Sequence, residues 1–173
     1  MGEHMLSIER IKALLGLKPL PVEGGYYAES YRSAESVARE ALPKGYAGAR
    51  SCGTAIYYLL TPETCSLLHR LQGDEVYHFY LGDPVELLQL RPDGSGEVVV
   101  LGPDLERGMR VQAVVPRQVW QGSRLRPGGR YALLGTTMAP GFDPGDFELG
   151  RRDQLQQTHP TFTEMILALT KTS

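Results

Sequence analysis

Three side chains suited to acid–base chemistry interrupt an otherwise apolar pair of predicted strands within HRLQGDEVYHFYLGD. They are His69, Glu75 and His78. Because alternate side chains of a strand face opposite sides, Glu75, Tyr77 and Phe79 share one face and His78 lies on the other. If the first face lines the interior of a barrel, Glu75 is a buried carboxylate that needs a partner. His69, on the preceding strand, is the nearest candidate.

A buried Glu75 beside a buried His69 would shift the protonation of both groups, which suits acid–base chemistry or metal binding. Simpler interpretations stay open. His69 could be a core histidine bonded to a backbone carbonyl, and Glu75 could pair with an arginine such as Arg50 or Arg70. His78 would reach the same interior only through a β-bulge that rotates it inward, and is otherwise structural or interfacial.

Short apolar segments separated by turn signals follow one another between Gly53 and Ala139. The segments are TAIYYLL, SLLHRL, EVYHFYL, VELLQLR, EVVVLG, RVQAVVP, VWQGSRL and RYALLGTTM. Their separators are rich in the residues that turns require, and RPDGSGE carries the strongest hairpin signal. So many short strands without intervening helices predict an all-β sandwich or barrel rather than a parallel α/β sheet.

Helices are predicted only near the two ends. Ser7 can cap the start of SIERIKALL and Gly16 can end it. The apolar face of this helix is formed by Ile8, Ile11, Leu14 and Leu15. A closing helix is predicted to start at Pro160, with Phe162, Met165, Ile166 and Leu169 on one face. The weak pattern of residues 34–50 predicts an exposed loop.

Composition bounds the function classes. The chain has 173 residues and a formal net charge of −2, which predicts one domain over residues 1–173 and no nucleic-acid or anionic-membrane partner. The lack of a long apolar stretch argues against a membrane span. Cys52 and Cys65 are too few for a disulfide framework, so we expect a cytoplasmic protein. MGEH precedes the first patterned residue, and we expect Met5 to be the natural start and His4 to have no function.

The spacing His69-x-Leu71-x3-Glu75-x6-Gly82 resembles the first motif of the cupin superfamily, with Leu71 in place of its second histidine. The segment PRQVWQ is similar to the second cupin motif, with a glutamine in place of the motif's glycine and Gln121 in place of its histidine. A closer resemblance is to one small cupin family of unknown function. Its blocks match PVEGGYYAESYRS, HRLQGDEVYHFYLGDP, VPRQVWQGSRL and APGFDPGDFELG, in order, from about residue 8 to residue 169.

The resemblance implies an all-β fold, the double-stranded β-helix or cupin jelly-roll barrel, with short N-terminal and C-terminal helices and an interior pocket. Metal-binding cupins hold iron, manganese, nickel or zinc with three histidines and one glutamate. Only His69 and Glu75 match such ligands, since Leu71 has no donor atom and Gln121 is a weak oxygen donor. Two good ligands fall short of a stable site, so a divalent transition metal is an alternative rather than the expectation.

The first functional hypothesis is a cupin that binds a small polar or sugar-like metabolite and acts as a metal-independent isomerase or epimerase. Cupin sugar-nucleotide epimerases, which are similar in fold, imply that His69 is the base, that Glu75 sets its tautomer and that Tyr77 or Tyr131 is the acid. The ligand-binding candidates are Gln121, Trp120, Phe79 and His78. The alternatives are a metal-dependent oxygenase or isomerase, and a non-enzymatic sensor or structural dimer with a filled barrel.

Self-association is a separate prediction. The segments EVYHFYL and VELLQL are apolar on both faces, whereas one face of an antiparallel sheet is normally wet. A second layer must therefore cover the outer face. A partner subunit of a homodimer is the favoured cover, with the strand around Tyr26 to Tyr31 added across. The terminal helices of the same chain are the alternative.

Overall fold

The computed structural model describes residues 6–171. The expected leader MGEH and the start at Met5 lie outside the described residues. Within them the strands are β1 Lys18–Pro19, β2 Tyr26–Arg32, β3 Ser36–Val37, β4 Arg50–Ser51, β5 Thr54–Leu60, β6 Cys65–Leu71, β7 Glu75–Gly82, β8 Val85–Leu90, β9 Gly96–Leu101, β10 Gln112–Val115, β11 Trp120–Leu125, β12 Ala132–Met138 and β13 Phe147–Leu149. The helices are α1 Ile8–Leu15, α2 Arg152–Thr158 and α3 Thr163–Ala168, with 3₁₀ turns at Arg39–Ala41, Pro144–Asp146 and Pro160–Phe162.

Eleven of these thirteen strands form two antiparallel sheets that pack face to face as a jelly roll. One sheet has the order β1-β2-β5-β12-β7-β10, and the other has the order β13-β6-β11-β8-β9. Apolar side chains from both sheets meet between them, among them Tyr58, Tyr77, Leu87, Leu101 and Leu134. The all-β prediction is confirmed, and so is the hairpin that joins β8 to β9.

Helix α1 covers the outer face of the first sheet. Ser7 accepts a hydrogen bond from the Arg10 amide, and Gly16 ends the helix with a φ of 64°, as the sequence predicted. Ile11 packs on the outer side of β5 and β12. Leu14 is 54% exposed, so its predicted place on the buried face is wrong.

The C-terminal helices cover the outer face of the second sheet. Leu155 of α2 and Ile166 of α3 pack against Leu68 and Leu88. The single predicted closing helix is in fact two, because Arg152–Thr158 contains one apolar residue and shows no amphipathic period. VELLQL is therefore apolar on both faces because the chain's own helices cover it. No helix in residues 6–171 has the length and apolarity to cross a membrane.

Residues 34–50 are less exposed than predicted. They contain the short ladder of β3 with β4 and one 3₁₀ turn. Leu42 and Tyr46 are buried, and the Arg50 guanidinium lies 5.5 Å from the centre of the Tyr46 ring. The segment thus forms a packed flap on the barrel, held by a few contacts that a periodicity search does not detect.

Candidate functional site

His69 lies inside the barrel on β6. Its direct cross-strand partner is Gln121 of β11, and each is 1% exposed. The register shifts between Gln121 and Ser123, and such a bulge re-aims side chains. Ser66 and His69 are three positions apart, so regular alternation would place them on opposite faces, but the bulge lets both face inward. Leu68 packs outward under the C-terminal helices.

Glu75 enters the same interior from the opposite sheet. It is the first residue of β7 and lies between Met138 of β12 and Val115 of β10. Its residue exposure is 7%. The short turn from β6 to β7 therefore carries the chain from one sheet to the other and sets the imidazole and the carboxyl group on facing walls.

The imidazole of His69 is held in one orientation. Its Nδ1 lies 2.7 Å from the carbonyl oxygen of Leu67, and because a carbonyl only accepts, Nδ1 carries the proton. The ring stacks on Phe147 with centroids 5.0 Å apart. Nε2 forms no hydrogen bond with residues 6–171, and in the neutral ring it carries the lone pair. The tautomer is thus set by a backbone carbonyl rather than by Glu75, which corrects the predicted role.

The carboxyl group of Glu75 is poorly compensated. Burial raises its pKa, and the nearby carboxylate of Glu23 raises it further, while His69, Thr136 and Gln121 act in the opposite direction. Its Oε2 atom is buried without a hydrogen-bond partner, and so is Oε1 of Gln121. Unpaired buried acceptors are rare because each costs the desolvation of a polar group, so they indicate an absent donor.

A cavity of about 220 Å³ opens beside these two groups. His69 and Glu75 both line it. Its apolar wall is formed by Leu20, Ile56, Leu71, Met138, Phe142 and Pro144. A mostly apolar cleft with a few convergent polar groups is the usual form of a small-molecule site. A filled barrel, one of the predicted alternatives, does not match this interior.

Glu23 is a cavity residue that the sequence analysis missed. Its Oε1 accepts a hydrogen bond of 2.6 Å from the Ser66 hydroxyl. The loop lies close to β6 because the next residue is glycine: Gly24 has a φ of 102°, and a Cβ there would collide with the carbonyl oxygen of Cys65. The unusual pair Gly24-Gly25 was the available signal, since such pairs mark close backbone approach.

Two predicted catalytic tyrosines do not line the cavity. Tyr77 is 1% exposed in the inter-sheet core, and burial raises its pKa well above the usual value. It lies on the same strand as Glu75, two positions further along. Tyr131 packs with Ile11 and Leu59 under α1, on the outer side of the sheet. Neither residue is part of the lining of the cavity that contains His69.

Three predicted ligand-binding residues also lie elsewhere. Trp120 packs on the outer face of its sheet, with the Arg70 guanidinium 4.6 Å from its ring centre. The imidazole of His78 lies 2.9 Å from the Thr137 hydroxyl, on the face opposite Glu75, since the bulge in this pairing comes later, near Leu133 and Leu134. Phe79 packs against the inter-sheet core. Gln121 alone of this set adjoins His69.

The arginines suggested as partners of Glu75 are paired elsewhere. Arg50 makes two hydrogen bonds of 2.6 Å to Asp146, and Arg70 donates to Glu148 at 2.8 Å. The acidic residues Asp146 and Glu148 of the late loop are therefore both paired with arginine. Glu75 forms no ion pair with Lys or Arg in the described range.

The residues present do not fit a transition-metal site. In the part of the chain that the structure describes, no three His, Cys, Asp or Glu side chains lie close enough to hold an ion. The His and Glu side chains that line the cavity are His69, Glu75, Glu23 and Glu29. Glu23 is bonded to Ser66 and Glu29 to Arg32. His69 and Glu75 remain, and stable sites use three or more good donors.

Three comparisons place the molecule among known proteins. The family model described as "Cupin superfamily (DUF985)" matches residues 9–150. The uncharacterised protein YML079W of Saccharomyces cerevisiae is 30% identical over 129 residues, which are 70% of this chain and 64% of the yeast protein. The chain thus spans less than two thirds of that relative.

Two solved structures are similar over almost their whole length. Protein SO0799 from Shewanella oneidensis has 31% identity and a TM-score of 0.84, covering 98% of this chain and 100% of that one. A hypothetical protein from Leishmania major has 33% identity and a TM-score of 0.85, covering 96% and 100%.

Proposed function

Because the chain belongs to the DUF985 family of the cupin superfamily, we propose that it binds a small polar metabolite between its two sheets and moves a proton on that molecule without a metal. It would then be an isomerase or epimerase. The observation that carries the proposal is the state of His69, a buried imidazole whose Nδ1 is fixed by Leu67 and whose Nε2 is free beside a cavity.

The proposed base is His69. An imidazole with a protonated Nδ1 presents the Nε2 lone pair, and a base near neutral pKa is the usual agent of proton transfer. The ring is held by the Phe147 stack, so it loses little freedom when it engages a ligand. Glu75 faces it from the other sheet and would hydrogen-bond the ligand, while Tyr77 stabilises the wall rather than donating a proton.

The cavity favours binding over a purely structural role. About 220 Å³ of space lies beside the unpaired acceptor of Glu75, and a barrel used only for self-association needs neither the space nor the acceptor. The free thiols of Cys52 and Cys65 suit a reducing compartment, which supports a cytoplasmic location.

Deuterium exchange tests the proton transfer. 2-Hydroxycyclohexanone has an acidic C–H beside its carbonyl and a size suited to the cavity. We expect the protein in D₂O to speed deuterium incorporation into this ketone, measured by mass spectrometry. In His69→Gln the rate above the uncatalysed background should be about 100-fold lower.

The matched control is His78→Gln, which removes an imidazole on the outer face of the barrel. It should exchange deuterium at the wild-type rate. Equal rates for the wild type and His69→Gln would overturn the proposed proton transfer.

A further inference from the structure

The inner wall of the cavity is rich in hydrogen-bond acceptors that lack donors. Oε2 of Glu75, a residue of this wall, is buried and unpaired, and so is Oε1 of Gln121, the cross-strand neighbour of His69. Nε2 of His69 is an acceptor in the tautomer that Leu67 imposes. Glu23 adds a second carboxylate, satisfied by Ser66 at one oxygen only. A ligand that completes this wall must bring N–H or O–H groups.

The same wall holds two carboxyl groups that can carry negative charge. In residues 6–171 neither Glu23 nor Glu75 forms an ion pair with Lys or Arg. The cavity's arginine, Arg32, lies at the mouth with its side chain 44% exposed. Two of its nitrogens are bound to Glu29 at 2.9 and 2.8 Å, and one of them also donates to the Phe142 carbonyl at 3.2 Å. Its charge is therefore balanced at the mouth and does not compensate the inner carboxylates.

We propose that the ligand of this cavity carries a primary ammonium group on an apolar body, an inference that rests on the proposed small-molecule function. The ammonium supplies three N–H donors and one positive charge. Glu75 and Glu23 take the charge, and His69 accepts a remaining hydrogen. Charge-assisted hydrogen bonds of this kind are the strong ones.

The apolar wall accounts for the rest of the ligand. Leu20, Ile56 and Met138 surround the space next to the carboxylates. An engineered apolar cavity of about 150 Å³ is known to hold benzene, so a ring or a short branched chain fits in about 220 Å³. A carboxylate or phosphate ligand would set like charges against Glu23 and Glu75 and leave their acceptors unpaired.

Three probes of nearly equal size test the charge of the ligand. Benzylammonium, benzyl alcohol and benzoate share one ring and differ in charge. Titration of the ¹⁵N-labelled full chain, followed by NMR shifts of cavity residues, gives a dissociation constant for each probe. We expect benzylammonium to bind at least about tenfold tighter than benzoate, the equivalent of one charged pair, and tighter than benzyl alcohol.

Matched variants locate the preference. Glu75→Gln should abolish the advantage of benzylammonium, and Glu106→Gln, at an exposed loop glutamate, should leave it unchanged. Should Glu75→Gln fail to fold, Glu23→Gln must reduce the advantage instead. The ranking in the wild type tests the charge preference independently of any variant.

The outcomes separate the two proposals. If benzyl alcohol or benzoate shifts cavity residues at the same or lower concentration than benzylammonium, the ammonium inference is wrong and the small-molecule function stands. If none of the three probes shifts a cavity residue, the ammonium inference and the binding function are both wrong.

Discussion

The buried carboxyl group of Glu75 should leave a signature in the stability of the protein. Burial raises its pKa in the folded state, so the folded protein holds this proton more tightly than the unfolded chain, where the pKa is about 4.3. Below that value both states are protonated and the burial of Glu75 costs no charge. As the pH rises through the raised folded pKa, the folded state must bury a charge and its stability falls.

Glu75→Gln removes this penalty. We expect the free energy of unfolding of the variant, minus that of the wild type, to grow as the pH rises from about 4 and to level off above the folded pKa. The total gain should be about 1.4 kcal/mol for each pH unit that separates the folded pKa from the unfolded one. Denaturant titrations at several pH values measure it, with Glu106→Gln as the control. A difference that stays constant with pH would contradict the uncompensated burial of Glu75.

Backbone strain at Val22 gives a second prediction for a single residue. Val22 has a φ of 70°, which is rare for valine because a β-branched side chain clashes in the left-handed region. Its side chain is 56% exposed. We expect Val22→Asn to raise the free energy of unfolding by about 1 kcal/mol, since asparagine tolerates this region. Val98→Asn, at an exposed valine of β9, should bring no gain, and a loss of stability in Val22→Asn would refute the strain.

Among the elements, the segment that closes the cavity depends on a buried ion pair. The side chains of Arg50 and Asp146 are 6% and 2% exposed, and their two parallel hydrogen bonds anchor the turn Pro144–Asp146 against β4. Phe142 and Pro144 of the same segment line the cavity. The pair therefore fixes part of the binding wall from behind.

Removing one partner of that pair should be costly. We expect Asp146→Asn to lower the free energy of unfolding by about 3–5 kcal/mol, because it leaves the Arg50 guanidinium buried without a counter-charge. The comparison is Glu148→Gln, which breaks a pair whose side chains are 57% and 33% exposed and should cost less than about 1 kcal/mol. Similar losses in the two variants would show that the buried pair does not anchor the turn.

The sequence predicted the elements whose signals are local. The strands are bounded by turn residues, and α1 has its cap and its terminal glycine. Gln118, which stands at the glycine of the second cupin motif, has a φ of 64° and keeps the motif's backbone turn. Helix α2 escaped prediction because Leu155 is its one buried residue.

Contacts between distant parts of the chain were not predictable. Ser66 donates a hydrogen bond to Glu23, which lies 43 positions away in the sequence. The residues around each of them carry no pattern that predicts this contact. His69 and Glu75 were predictable as a pair since one short turn separates them. The tautomer of His69 was not, because its partner is a backbone carbonyl.

For the whole molecule, part of the first sheet's outer face remains uncovered. Tyr80 and Val114 are 48% and 52% exposed there, beside His78, while α1 covers the far half. We expect this face to join two copies in a homodimer, as a partly apolar sheet face needs a cover. Light scattering at micromolar concentration should then give about twice the chain mass of 19.1 kDa.

The variant Val114→Glu should convert the dimer to a monomer. Leu167→Glu, on α3 at the other side of the barrel, is the matched control and should remain dimeric. A monomeric wild type, or a Val114→Glu variant that still dimerises, would argue against this face as the interface.

In our proposal, the space between the sheets is a binding site in which His69 and Glu75 contact the ligand. A crystal structure of the protein soaked with cyclohexane-1,2-diol, a neutral ring with two hydroxyl donors, tests it most directly. We expect density for the diol in the cavity, with its hydroxyl groups within hydrogen-bond distance of Nε2 of His69 and of the Glu75 carboxyl group. Diol bound only on the outer surface, with the cavity free of it, would contradict the account.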